Sequence, residues 1–120
     1  MTVLHAVDTV DLADDGPEPS GLDVLRAIQA GDLPRPGVAR LLGLEMEEVE
    51  LGRVAFSMGP RPDMANPMGT MHGGIVATLL DTVMGCAVHS SLDSGVGYTT
   101  LDLDVRYVRS APLTGEAVRA

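Results

Sequence analysis

A single apolar stretch limits what this 120-residue chain can fold into. Gly73 to Val88 carries Ile75, Val76, Ala77, Leu79, Leu80, Val83, Met84, Ala87 and Val88, interrupted by one charge, Asp81. These side chains fall at nearly every azimuth of a helix, so the spacing predicts a long helix covered on most of its circumference. The stretch is shorter than the ~20 residues of a membrane span. A carboxylate in the middle of such a helix costs free energy unless something solvates, bonds or uses it. The positions around it, Gly74, Ala77, Thr78, Met84 and Gly85, are mostly small and leave room for a ligand along that face. Two readings stay open from the residues alone. Asp81 is either satisfied by the backbone or Thr78, or it is a desolvated carboxylate whose raised pKa suits a general base.

The remaining segments are predicted to cover that helix. Ser20 with Asp23 forms a capping-box pattern, and Leu22, Leu25 and Ile28 recur at helical spacing up to Gly31. A second short helical turn is expected at Val38 to Leu42. Glu45 to Leu51 and Arg53 to Met58 read as two strands around a Leu51-Gly52 turn, with Met46, Val49 and Leu51 facing Val54, Phe56 and Met58. The first strand alternates irregularly, which leaves its register open. Tyr98 to Val108 alternates cleanly, with Leu101, Leu103, Val105 and Tyr107 on one face and Thr100, Asp102, Asp104 and Arg106 on the other, so a strand is expected there. A last strand should follow Leu113-Thr114-Gly115. Residues 1–19, with Asp8, Asp11, Asp14, Asp15 and Glu18 among glycine and proline, read as an acidic mobile arm ahead of a domain spanning 20–120.

Charge and composition narrow the partners. The formal charge is -9, and the chain has one Phe, two Tyr and no Trp. Such a surface neither neutralises phosphates nor stacks bases, so nucleic acid is excluded. No basic segment followed by an apolar one opens the chain, so no signal peptide is expected. One cysteine, Cys86, cannot form an internal disulfide, which fits a reducing cytoplasm, and without a neighbouring base it reads as a small core residue. His5, His72 and His89 do not stand at metal-ligand spacing with Cys86, so no metal site is expected.

Gly73 and Gly74 open the long helix, where the first N–H groups lack intrahelical acceptors and favour negative charge. That is either an oxyanion site or ordinary turn chemistry. His72 stands at its edge, able to cap the helix, bond a loop or touch a substrate. Eight residues separate Gly73 from Asp81, about 12 Å at ~1.5 Å per residue. One carboxylate cannot act on a carbonyl held at its own helix N-terminus, so a site using both needs two antiparallel copies of the helix, and therefore a dimer.

Two runs carry a family resemblance. Asn66-Pro-Met-Gly-Thr-Met-His72-Gly73-Gly74-Ile-Val-Ala-Thr-Leu-Leu-Asp81 and Gly97-Tyr-Thr-Thr-Leu-Asp-Leu-Asp-Val-Arg-Tyr-Val-Arg109 resemble the hotdog-fold thioesterases of the phenylacetate-degradation (PaaI) type. The resemblance spans roughly Leu33 to Ala120. It implies an α+β fold, an antiparallel sheet wrapped around one long central helix with a short N-terminal helix before it, in homodimers that pair into tetramers. About two further strands would follow Ala120, so the domain reads as incomplete at its C-terminus. The implied activity is hydrolysis of acyl-CoA thioesters, with CoA as part of the substrate and no other cofactor. Asp81 would be the catalytic carboxylate, as base or nucleophile. Gly73 N–H would polarise the carbonyl, Asn66 and His72 would orient the thioester, and Thr100, with Thr99 as fallback, would position water. Tyr107 and Arg109 would approach the CoA moiety. A non-catalytic acyl-CoA-binding module and an inactive fragment are the competing readings. The dehydratase branch of the fold fits the Asp and His spacing less well.

Overall fold

The computed structural model describes residues 17–120. Most of the expected acidic arm therefore lies outside the described residues, and its end is anchored: the Ser94 hydroxyl donates to the Glu18 carbonyl.

Helix α1 (Gly21–Ala30) starts on the expected capping box. Asp23 N–H donates to Ser20 Oγ at 3.3 Å while Ser20 N–H donates to Asp23 Oδ2 at 3.2 Å, so two otherwise orphaned donors satisfy one another's residues. These bonds from Ser20 hold the Asp23 carboxyl below its usual range. Gly31, at φ 89°, ends the helix in a conformation that costs glycine nothing. Leu25 projects into the core and is buried. Helix α2 (Gly37–Leu42) follows and buries Ala39 and Leu42.

Strands β1 (Leu44–Glu50) and β2 (Arg53–Met58) form an antiparallel hairpin about the Leu51-Gly52 turn, with Gly52 at φ 71°. The irregular alternation of β1 has a physical cause. Leu44 pairs with Met58 and Met46 with Phe56, then a bulge skips Glu47 and the ladder resumes with Glu48 opposite Ala55. The extra residue reverses the parity, so Leu44 is buried before the bulge and Val49 after it. Leu51, expected on the inner face, sits in the turn and is exposed. Strand β3 (Val118–Arg119) pairs antiparallel with the other edge of β2, giving the order β1-β2-β3.

Helix α3 (Gly73–His89) lies across this sheet, chiefly against β2, with Leu79 buried at the centre of the contact. Its C-terminal end is tied to the hairpin by Ser90, whose buried hydroxyl donates to Ala87 O at 2.7 Å and accepts from Gly52 N–H at 2.7 Å. A central helix on an antiparallel sheet is the α+β arrangement that the resemblance implies.

Two expectations need correction. Helix α3 is not covered on most sides: Leu79 is its one fully buried residue, while Met84 and Val88 are 49% and 52% exposed. Three strands cover one face of the helix, and among the described residues no second sheet layer lies on the opposite face. Nor is Tyr98 to Val108 a laddered strand. It runs extended with no strand beside it among the described residues, and Leu101 and Val108 are each 94% exposed. Alternation selects faces, but a strand also needs a neighbour to take up its backbone groups.

Candidate active site

The loop before α3 is built to deliver His72 to the helix start. Asn66 closes it from within: its Oδ1 accepts from Met68 N–H at 3.0 Å and Thr70 N–H at 3.1 Å, and its Nδ2 donates to Thr70 Oγ1 at 2.8 Å. His72 N–H then donates to Met64 O at 2.8 Å, and Met71 N–H to Ala111 O at 3.0 Å. Asn66 is thus placed as the fastener of this loop.

His72 is the N-cap of α3. Its Nδ1 accepts from Gly74 N–H at 2.9 Å, which leaves the exposed Nε2 as the proton-bearing nitrogen of the neutral ring. Ile75 N–H donates to His72 O at 2.9 Å. Of the donors in this first turn, Gly73 N–H is the one for which the described residues supply no acceptor. Of the three roles open to His72 in the sequence, the structure shows the cap.

The segment 98–107 lies along α3 in the opposite direction and is fastened to it by side chains. Tyr98 packs beside His89 with ring centroids 5.4 Å apart. The Thr100 hydroxyl donates to Asp81 Oδ1 at 2.7 Å, and the Tyr107 hydroxyl donates to Gly73 O at 2.7 Å. Thr100, and not Thr99, therefore reaches the carboxylate. Tyr107 stands over the first turn of the helix, where a Cβ on Gly73 would meet its hydroxyl at 3.3 Å. The expected faces of the segment are mixed, since Thr100 and Tyr107 both turn toward α3 while Leu101 turns away.

Asp81 stands on the face of α3 turned away from the sheet. It is half-buried in the single chain, and its bond is to Thr100 rather than to Thr78 or the backbone. Asp81 Oδ2 has no hydrogen-bond partner among the described residues. Burial holds the neighbouring Tyr98 phenol above its usual range, and Cys86 and Asp81 add to the shift. Burial lowers the His89 imidazole and pushes the Cys86 thiol up to about 11. Arg109 is exposed and makes no ion pair among the described residues.

Tyr98 was not singled out by the sequence reading, although a signal existed. Gly85 lies mid-helix, where a Cβ would come within 2.8 Å of the Tyr98 ring, so the missing side chain marks the place where an aromatic ring crosses. Among the described residues no group of three or more His, Cys, Asp or Glu side chains could hold a metal ion, and no helix is long and apolar enough to cross a membrane.

Known proteins share this fold. Residues 68–118 match the thioesterase superfamily model. A curated Halobacterium salinarum protein with an esterase designation is 36% identical over 80 residues, 62% of this chain, and the chain spans about half, 53%, of that relative's length. The crystal structure of a Ralstonia eutropha JMP134 phenylacetic acid degradation-related protein, designated a thioesterase, superposes with a TM-score of 0.70 at 27% identity, covering 78% of this chain and 71% of that one. The PaaI protein of the Escherichia coli phenylacetic acid degradation operon shares the fold, with a TM-score of 0.67 at 20% identity over 79% of this chain and 65% of its own. The family match runs from the His72 loop through Asp81 and Thr100; over these residues the chain is similar to the thioesterase superfamily, and its α+β fold is that of the hotdog thioesterases it resembles.

Proposed function

We propose that the chain hydrolyses acyl-CoA thioesters and that Asp81 activates the attacking water. The observation that carries this reading is the Thr100–Asp81 pair. A hydroxyl holds one carboxylate oxygen at 2.7 Å, which orients the group, and the second oxygen is left open to take a proton. Water adds to the thioester carbonyl as Asp81 Oδ2 accepts its proton. The tetrahedral oxyanion then expels the CoA thiolate as the C–S bond breaks, and the thiolate recovers the proton. Gly73 N–H and His72 Nε2–H are the donors suited to the developing oxyanion, in a helix-terminal field that favours negative charge. Arg109 is a candidate partner for a CoA phosphate.

The two halves of this machinery are eight residues apart on one helix, about 12 Å at ~1.5 Å per residue. We infer that they meet across a two-fold axis, with Asp81 of one copy beside Gly73 of the next. The exposed Met84, Val88, Leu101 and Val108 support that reading, because they surround the Asp81 face with apolar surface suited to a second copy.

Asp81→Ala and Asp81→Asn are expected to lower acyl-CoA turnover by ~10²- to 10⁴-fold with an unchanged melting curve. Free-thiol release from an acyl-CoA panel is the readout, and near wild-type turnover in either variant removes Asp81 from the reaction. Mixing Asp81→Ala chains with Asn66→Ala chains should restore some activity, since one of the two sites in the mixed dimer keeps both halves intact. Mixed dimers without activity would show that each site lies within one chain.

A further inference from the structure

A concavity that Asp81 does not line lies beside α3. It measures about 110 Å³ and sits between α1, α2, the hairpin and α3. Thr82 and Cys86 contribute the α3 wall. At 3.6 residues per turn they stand roughly 100° and 140° around the helix from Asp81, so a molecule in the cavity does not share the face that Asp81 and Thr100 occupy.

Buried apolar side chains form its floor, and polar groups stand along its border. Leu25, Ala39, Leu44 and Phe56 line it and are at most 5% exposed. The polar groups that border it are already spent. Arg35 and Glu45 bond one another through two parallel contacts of 2.7 Å, leaving the rim without net charge. Gln29 donates to Met46 O and Glu47 O, and the Thr82 hydroxyl donates to Thr78 O at 2.8 Å. Water held there would find few partners, whereas an apolar guest would replace contacts that a close-packed interior normally makes. Cavities of about 150 Å³ with such linings stay dry and accept benzene, so a space of this size suits one small ring.

We propose that this cavity is a binding site for a small, uncharged, benzene-sized apolar molecule or side group, separate from the hydrolytic face. The pairing of Arg35 with Glu45 disfavours a charged ligand of either sign, because a carboxylate would meet Glu45 and a cation Arg35.

Benzene itself is the probe. Titrated into the whole protein with ¹³C-methyl methionine, it should shift the Met46 methyl saturably and leave those of Met68 and Met84 unmoved. At saturation it should slow alkylation of Cys86 at least tenfold. Ala39→Leu, which fills the space, should abolish both effects. If that variant does not fold, the wild-type pattern decides alone. The absence of a saturable Met46 shift overturns the proposal, as do equal shifts at all three methionines, or a Met46 shift with Cys86 unprotected. None of these readings depends on Asp81, so failure here leaves the hydrolytic assignment standing, and failure there leaves this one.

Discussion

The hairpin at 44–58 and the extended segment at 98–108 are written in similar alternating patterns and end in opposite physical states. In the hairpin every ladder position but the bulge has a partner strand, and Leu44, Val49, Val54, Phe56 and Met58 are buried. In the second segment no strand lies alongside among the described residues. Its attachment is through three side-chain contacts to α3, and Leu101 and Val108 stay in solvent. The first region gains burial and backbone pairing together. The second gains two hydrogen bonds and one ring contact, which suits a surface waiting for a further partner better than a core.

The sharpest break of this contrast is a truncation in each region. Met58→Ala removes a fully buried side chain from the hairpin and should cost ~2–5 kcal/mol. Leu101→Ala in a single chain should stay within about 0.5 kcal/mol. Urea titration measures both. A concentration-dependent loss for Leu101→Ala would show that a second copy covers the segment.

Two glycines sharpen the comparison at intermediate size. A Cβ at Gly21 would run into the backbone carbonyl of His89, which cannot rotate aside, so Gly21→Ala should loosen α1 from α3 at a cost of ~1–3 kcal/mol. At Gly85 the obstacle is the Tyr98 ring, a movable side chain at 2.8 Å. Gly85→Ala should therefore leave the melting point almost unchanged, because helix propensity gains up to ~1 kcal/mol, while the ring contact between His89 and Tyr98 disappears from NOE spectra. Equal destabilisation by both substitutions would mean that the 98–108 segment is as firmly held as the core.

The smallest effect is a pH dependence. Burial places the His89 pKa below its ordinary 6.5, so the unfolded chain binds more protons as pH falls through that value, and stability decreases there. For Cys86 the sign reverses at the other end. Its thiol is raised from 9.0 to about 11, so its contribution is complete below pH 9 and is lost as pH rises toward 11. Replacing His89 by Gln should flatten the acid slope, and replacing Cys86 by Ala the alkaline one, in urea midpoints measured across the range.

Local order determined much of this protein. The Ser20 and Asp23 box, the stops at Gly31 and Gly52 and the two short strands around it are written in residues that touch one another within a few positions. Asp81 and the helix start at Gly73 stood out for the same reason, since a lone charge and a glycine pair depart from a regular apolar helix. Thr100 meets Asp81 across 19 residues of sequence, a contact that no spacing within either segment encodes. What tertiary structure alone decided is which neighbours arrive. The bulge at Glu47 depends on how two strands align, and the cover of α3 depends on how many strands come to it. The exposure of 98–108 depends on a ladder partner that no residue within the segment can specify. Alternation encodes which side chains share a face; it does not encode whether anything lies against that face, because that contact free energy belongs to two segments at once.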